Sequence, residues 1–292
     1  MKKTELITNS DGSVFHLHLK RGDVAQNIIF VGDPGRVDIF ESLLQDIRVK
    51  KENREFRTIT GVYGNEEISV VSTGIGTDNI DIVLNELDAV VNIDLQTGET
   101  KEELTSLNLI RVGTSGSLRE EIPVGSFLLT ETAIGFDGLI HFYEGYDWLL
   151  DTTLADILAA HLEWPDTLPY PYAVNASREL LELFHSEKFI RGITISAPGF
   201  YAPQGRKIRL EIFDNEINNK LAAFSFRNRT ISNYEMESSA LYGLAGLLGH
   251  KALTVCAVLG NRITGEFIND YNSLIRELAE IVLNKITFAE EI

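Results

Sequence analysis

Asn27-Ile28-Ile29-Phe30-Val31-Gly32-Asp33-Pro34-Gly35-Arg36 holds a strand, a turn and the start of a helix within ten residues. Asn27–Val31 is mainly β-branched and apolar, which predicts a short strand. Gly32-Asp33-Pro34-Gly35 is a turn cluster that ends it. Val37, Phe40, Leu43 and Leu44 then recur at helical spacing over residues 36–44.

The same unit returns along the chain. Residues 68–72 read as a strand, Gly74-Ile75-Gly76 as its turn, and 78–90 as a helix carrying Ile82, Val83, Leu87 and Val90. Residues 107–112 form a third strand, expected to stop at the turn Gly113-Thr114-Ser115-Gly116. Strands are predicted at 126–134, 190–196 and 252–259, and helices at 238–248 and 274–286. Gly249 stops the first of these helices as a left-handed C-cap. Alternating strands and helices predict one α/β domain over residues 1–292 with a largely buried sheet. The least regular stretch, residues 137–172, holds Trp148 and Trp164 and reads as a lid or a subunit contact.

The composition narrows the function. The chain has 292 residues, 44% hydrophobic and 24% charged, as a packed globular domain has. Its 26 Lys+Arg against 43 Asp+Glu leave a formal charge of −17. That field opposes broad binding to nucleic acid or anionic lipid, but a local cluster of cations could still hold a small anion. The single cysteine, Cys256, excludes an internal disulfide and a Cys-based zinc site. It lies in the apolar run 252–259 and reads as a buried, inert thiol. No apolar stretch approaches the ~20 residues of a membrane span. Residues 1–19 lack an apolar signal core, so a cytoplasmic protein is expected. His16 and His18 have no partner at metal-ligand spacing.

Three groups of residues carry chemistry. Glycine turns at the ends of strands let backbone N–H groups approach an anion. Arg36 follows the first turn, Arg111 precedes the third, and Thr114 adds a hydroxyl. Guanidinium groups bind phosphate through paired N–H bonds, so these residues, with Arg54 as a further candidate, suggest a phosphate site. None of the turns matches GxGxxG or a P-loop, which argues against dinucleotides and nucleoside triphosphates. In Phe200-Tyr201-Ala202-Pro203-Gln204-Gly205-Arg206, Gln204 offers a donor and an acceptor and Arg206 only donors. Two residues apart in an extended loop, they could bracket an imide edge beside an aromatic wall. In Asn233-Tyr234-Glu235-Met236-Glu237, the helix dipole is reason enough for Glu237. Its carboxylate could also accept from two vicinal hydroxyls.

In this order the motifs resemble those of the nucleoside phosphorylase family, and within it the branch that acts on uridine. The resemblance runs through Val14-Phe15-His16-Leu17, Gly32-Asp33-Pro34-Gly35-Arg36, Arg54-Glu55-Phe56, Ser72-Thr73-Gly74-Ile75-Gly76 and Arg111-Val112-Gly113-Thr114-Ser115-Gly116. It continues through Phe200-x-x-x-Gln204-x-Arg206, Asn233-Tyr234-Glu235-Met236-Glu237-Ser238 and Asn261-Arg262. It implies a three-layer α/β fold with a mixed, partly barrel-like central sheet flanked by helices. It implies phosphorolysis of uridine to uracil and ribose 1-phosphate, in pyrimidine salvage, by a pentosyltransferase that needs inorganic phosphate as co-substrate and no cofactor. Gly32, Arg36, Arg54, Arg111 and Thr114 would hold phosphate. Phe200, Gln204 and Arg206 would hold uracil, and His16, Met236 and Glu237 the ribose. Arg111, Gln204 and Arg206 would be catalytic, with Arg206 donating to the departing base. Arg54 and His16 would come from a neighbouring subunit, in a dimer or a trimer of dimers.

Alternatives remain open at this level: a purine phosphorylase, a nucleosidase of the same fold, or a nucleoside-binding protein without activity. Purine-cleaving members carry an Asp after the late apolar strand, whereas Val258-Leu259-Gly260-Asn261-Arg262 has no carboxylate. Gly76-Thr77-Asp78-Asn79 departs from the family's pattern, which speaks against the monovalent cation that some relatives hold near Glu55. Residues 91–106 read as an extra acidic loop.

Overall fold

Asn27–Val31 forms β1, buried along four of its five positions, because its β-branched and apolar side chains have sheet and helix on either side. The computed structural model that shows this describes residues 4–288. The two ends of the expected domain, residues 1–3 and 289–292, lie outside the described residues. Helix α1 (Pro34–Glu41) starts directly after the turn, with Pro34 in its first turn and the Asp33 side chain accepting from Gly35 N–H.

A hairpin of β2 (Gln45–Asn53) and β3 (Phe56–Tyr63), which the periodicity did not reveal, leads into β4 (Glu66–Ser72) and α2 (Thr77–Asn92). β5 (Asn108–Ser117) and β6 (Phe127–Gly135) follow, then α3 (Thr152–Leu162), β7 (Tyr172–Asn175), α4 (Arg178–Leu183) and β8 (Phe189–Ser196). The chain ends with α5 (Ile217–Ala223), β9 (Ser225–Phe226), β10 (Arg229–Glu235), α6 (Ser238–Leu247), β11 (Lys251–Asn261) and α7 (Asn272–Thr287). Gly249 has φ +76°, as the predicted C-cap requires.

Among the described residues the strands join in one mixed sheet, in the order β2-β3-β4-β1-β5-β11-β6-β8-β10-β9, with β7 beside β6. A further pairing of β10 with β5 closes β5, β11, β6, β8 and β10 into a ring. The expected mixed, partly barrel-like sheet is therefore present, with one hydrophobic cluster under α1, α2, α6 and α7 and a second under α3 and α5. β1, β4, β5 and β11 run parallel, so their carboxyl ends share one edge.

Two expectations need correction. Residues 113–116 are not a turn: β5 continues to Ser117, held by β11 on one side and by Asn233 and Tyr234 of β10 on the other. Glycine there serves close packing, since a Cβ at Gly113 would lie 1.9 Å from Arg111 Nη1 and 2.9 Å from Cys256 Sγ. Residues 137–172 are not a lid over the cleft described below, none of whose lining residues they supply. Instead α3 buries Leu154, Leu158 and Leu162 in the second cluster, and Trp164 packs on Phe136 with ring centroids 4.4 Å apart. Residues 91–106 are tied down as well, by Lys101 Nζ donating to Val91 O at 2.5 Å and Thr105 N to Asn92 Oδ1 at 2.7 Å.

Candidate active site

The shared edge of β1, β4, β5 and β11 opens into a cleft of about 1020 Å³. Gly32, Arg36, Arg111, Thr114, Phe200, Gln204, Arg206, Met236 and Glu237 all line it, although up to 205 positions separate them in the chain. Gly32 follows β1 directly and Met236 and Glu237 follow β10, while Arg111 and Thr114 lie within β5, Arg36 in α1, and Phe200, Gln204 and Arg206 in the segment after β8.

Arg36 Nη2 lies 3.4 Å from Thr114 Oγ1. The Nε atoms of Arg36 and Arg111 and the Ser115 hydroxyl are buried without a protein partner among the described residues. Buried donors are normally satisfied, so these groups are available to acceptor oxygens from outside the chain. Gly74, at φ +74°, turns the chain tightly here. A Cβ on it would lie 2.3 Å from Asn79 Nδ2 and 2.9 Å from Glu55 Cγ. The Arg36 guanidinium also lies 5.9 Å from the ring of Tyr271, just before α7.

Arg111 is buried in the wall of the cleft. Its Nη2 pairs with Glu237, and its Nη1 lies 3.4 Å from Glu235 Oε2 and 3.6 Å from Cys256 Sγ. Burial alone would lower its pKa, but Glu237 and Glu235 outweigh it and keep the guanidinium charged. The same burial pushes the Cys256 thiol up to about 12, which makes it inert as a nucleophile. The dipole reading of Glu237 needs correction. Glu235, not Glu237, accepts from Ser238 N–H at the start of α6, at 3.0 Å to each oxygen, and from Glu237 N–H at 2.9 Å. Glu237 turns away from α6 and accepts from Gly76 N–H, before α2, at 2.8 Å. The Glu237 carboxylate that lines the cleft is thereby held by two elements distant in sequence, through Gly76 and Arg111.

Gln204 and Arg206 line the same cleft side by side, but through a short turn and not an extended loop. Gln204 N and Arg206 N both donate to Tyr201 O, and Gly205 is left-handed at φ +66°. Arg206 Nη1 donates to Gln204 Oε1 at 2.5 Å, and its guanidinium carbon lies 3.8 Å from the Phe200 ring centroid. Burial, with Arg262 beside it, lowers Arg206 to about 10, so it remains charged at neutral pH.

Sequence reading missed the role of several lining residues: Tyr234, Glu235, Arg262, Glu266, Phe267 and Tyr271. Arg262 Nη2 donates to Gln204 O at 3.0 Å, and the buried Tyr234 hydroxyl has no partner among the described residues. An alternation rule along β10 would have marked Tyr234 and Glu235 only as opposite faces of a strand, and the loop after β11 has no periodicity to read. Two predicted site residues stand apart from the cleft. Arg54 is exposed at the tip of the β2–β3 hairpin, with φ +56°. His16 Nδ1 pairs with Glu86 Oε1 at 2.6 Å, and its carbonyl accepts from Asn53 Nδ2 at 2.8 Å. The two lie on one stretch of surface, joined through Asn53.

The family model of the phosphorylase superfamily matches residues 27–286. The chain belongs to the phosphorylase superfamily. Its relatives in that superfamily include a uridine phosphorylase of Thermococcus kodakarensis, 32% identical over 88% of this chain and 80% of the relative. A DeoD-type purine nucleoside phosphorylase of Oceanobacillus iheyensis is 28% identical over 93% of this chain and 98% of its own. Among solved structures, a Trypanosoma brucei nucleoside phosphorylase described as showing uridine phosphorylase activity superposes with a TM-score of 0.86. It is 28% identical and covers 97% of this chain and 99% of its own. Among the described residues no helix is long and apolar enough to cross a membrane.

Proposed function

We propose that the protein cleaves uridine with inorganic phosphate to give uracil and ribose 1-phosphate. The observation that carries this reading is the Gln204–Arg206 pair, fixed by a hydrogen bond and a ring contact in the cleft that Arg36 and Thr114 also line. An imide presents C=O, N–H and C=O along one edge. Gln204 can both donate and accept, and Arg206 can donate to a carbonyl oxygen.

Arg36, Arg111 and Thr114 would hold phosphate beneath the anomeric carbon, with Gly32 giving backbone access. Met236 and Glu237, which line the same cleft, would hold the ribose hydroxyls. The C1′–N1 bond breaks with an oxocarbenium-like transition state, and its electron pair passes into the uracil ring. Arg206 stabilises the anion that forms on the base oxygen, which needs no covalent intermediate. Gly260 lines the cleft where purine-cleaving relatives would carry their acid, which favours a pyrimidine leaving group. Arg54 and His16, outside their own cleft, would complete a neighbouring subunit's site, so a dimer is the smallest working assembly.

Incubation with uridine plus phosphate, uridine alone, and inosine plus phosphate tests the reading. Uracil is expected only in the first. Uracil formed at the same rate without phosphate, or turnover of inosine alone, would overturn it.

A further inference from the structure

We infer that Phe267 is a specificity-determining residue: its ring occupies the space beside Gly260 that a second fused ring of the base would need. This inference rests on the proposed nucleoside site and concerns which base that site admits.

The loop after β11 folds back on the strand that precedes it. Gly260 and Phe267 pair as an antiparallel bridge, Asn261 N donates to Glu266 O at 2.9 Å, and Ile268 N donates to Leu259 O at 2.8 Å. Asn261 Oδ1 accepts from Ile263 N and Thr264 N at 2.9 and 3.0 Å, and its Nδ2 donates to Arg119 O and Ile122 O. Six hydrogen bonds therefore hold this short return, and Phe267 is carried on its rigid part. A Cβ at Gly260 would lie 3.2 Å from Phe267 Cδ2, tighter than ordinary contact. Both residues line the cleft. Two positions further on, Arg262 donates to Gln204 O, which places this wall at the base-recognition end.

Selection against purines then has two independent sources. One is the missing acid at Gly260. The other is steric, from a ring that is itself 64% exposed and so contributes little to the core. Inosine cannot separate them, because its departing base needs a proton. 7-Methylinosine can. Its purine ring is already cationic, so when C1′–N9 breaks the electron pair neutralises the ring, phosphate oxygen bonds to C1′, and no proton is required.

The test compares the wild-type protein with Phe267→Ala and the milder Phe267→Leu, each with phosphate. 7-Methylinosine should be turned over poorly by the wild type and at least about tenfold faster in kcat/KM by Phe267→Ala, with Phe267→Leu between them. Calorimetric binding of 7-methylinosine to the phosphate-loaded proteins should rise in the same order, and it reads the steric claim even where turnover fails. Equal affinity and equal turnover of 7-methylinosine in wild type and variants would overturn the inference. Uridine is the parallel arm. Loss of wild-type uridine phosphorolysis would sink the proposed function, while the binding order would still decide the role of Phe267.

Discussion

Arg111 enters the cleft with two carboxylates on its guanidinium, Glu237 and Glu235, and still has a buried Nε without a partner among the described residues. Arginine identity alone was not informative in a chain this acidic, where a lone arginine reads as a surface ion-pair partner; its place beside the glycine-rich segment was, and Arg111 is in fact buried. Arg206 has a different setting, beside a second cation, Arg262, with a carbonyl, an amide oxygen and an aromatic face around it. A developing anion on the base is what that surplus of positive charge would stabilise. Arg206→Ala should therefore lower kcat/KM for uridine by ~2–4 kcal/mol of transition-state stabilisation. Steady-state kinetics checks this, and an unchanged value would remove Arg206 from its role. Cys256 makes the opposite kind of prediction. Its thiol is fully buried and raised by that burial, so it stays protonated and shielded at neutral and mildly alkaline pH. Iodoacetamide at pH 8 should leave the folded protein unmodified and label it once denatured, as mass spectrometry would show. These residue types were legible in the sequence. Their partners were not, because Glu235 and Glu237 differ only in which of two helix starts each reaches, and that depends on packing between α2 and α6.

At the scale of elements, strands with long apolar runs announced themselves and the β2–β3 hairpin did not. β2 alternates mostly exposed and half-buried positions around a single buried Val49, so it has no hydrophobic signature to read. The end of β5 was missed for another reason. Glycine-rich sequence normally breaks a strand, but here two flanking strands hold it and the glycines make room for Arg111 and Cys256. Gly113→Ala should push the Arg111 guanidinium aside and weaken use of phosphate by ~10²-fold in kcat/KM. Kinetics with varied phosphate would check this, and a variant with unaltered phosphate kinetics would contradict it. Gly249 offers a contrast, since nothing lies within 4 Å of a Cβ built on it. The cost of Gly249→Ala is then conformational alone, about 1 kcal/mol from the left-handed backbone, readable by urea denaturation with activity retained.

On the scale of the whole molecule, the charge of −17 and the cleft belong together. A field of that sign opposes broad binding to polyanions, while Arg36, Arg111, Arg206 and Arg262 line one cavity, an arrangement that would suit a phosphate ion and a neutral nucleoside. The general architecture was readable from the alternation of strands and helices. The closure of five strands into a ring was not, because it depends on a two-residue pairing between β5 and β10. Assembly follows from the same view. If Arg54 serves a neighbour's site, mixing Arg54→Ala with Arg111→Ala and letting subunits exchange should restore activity, up to about a quarter of the wild-type level for a dimer. Each parent alone should stay impaired, and no recovery after exchange would assign Arg54 to its own chain. The central claim is that phosphate, and not water, takes the ribose from uridine. Phosphorus NMR of the protein with uridine and phosphate tests it most directly. The account predicts one ribose 1-phosphate for each uracil released, with inorganic phosphate consumed in step; free ribose beside untouched phosphate would contradict it.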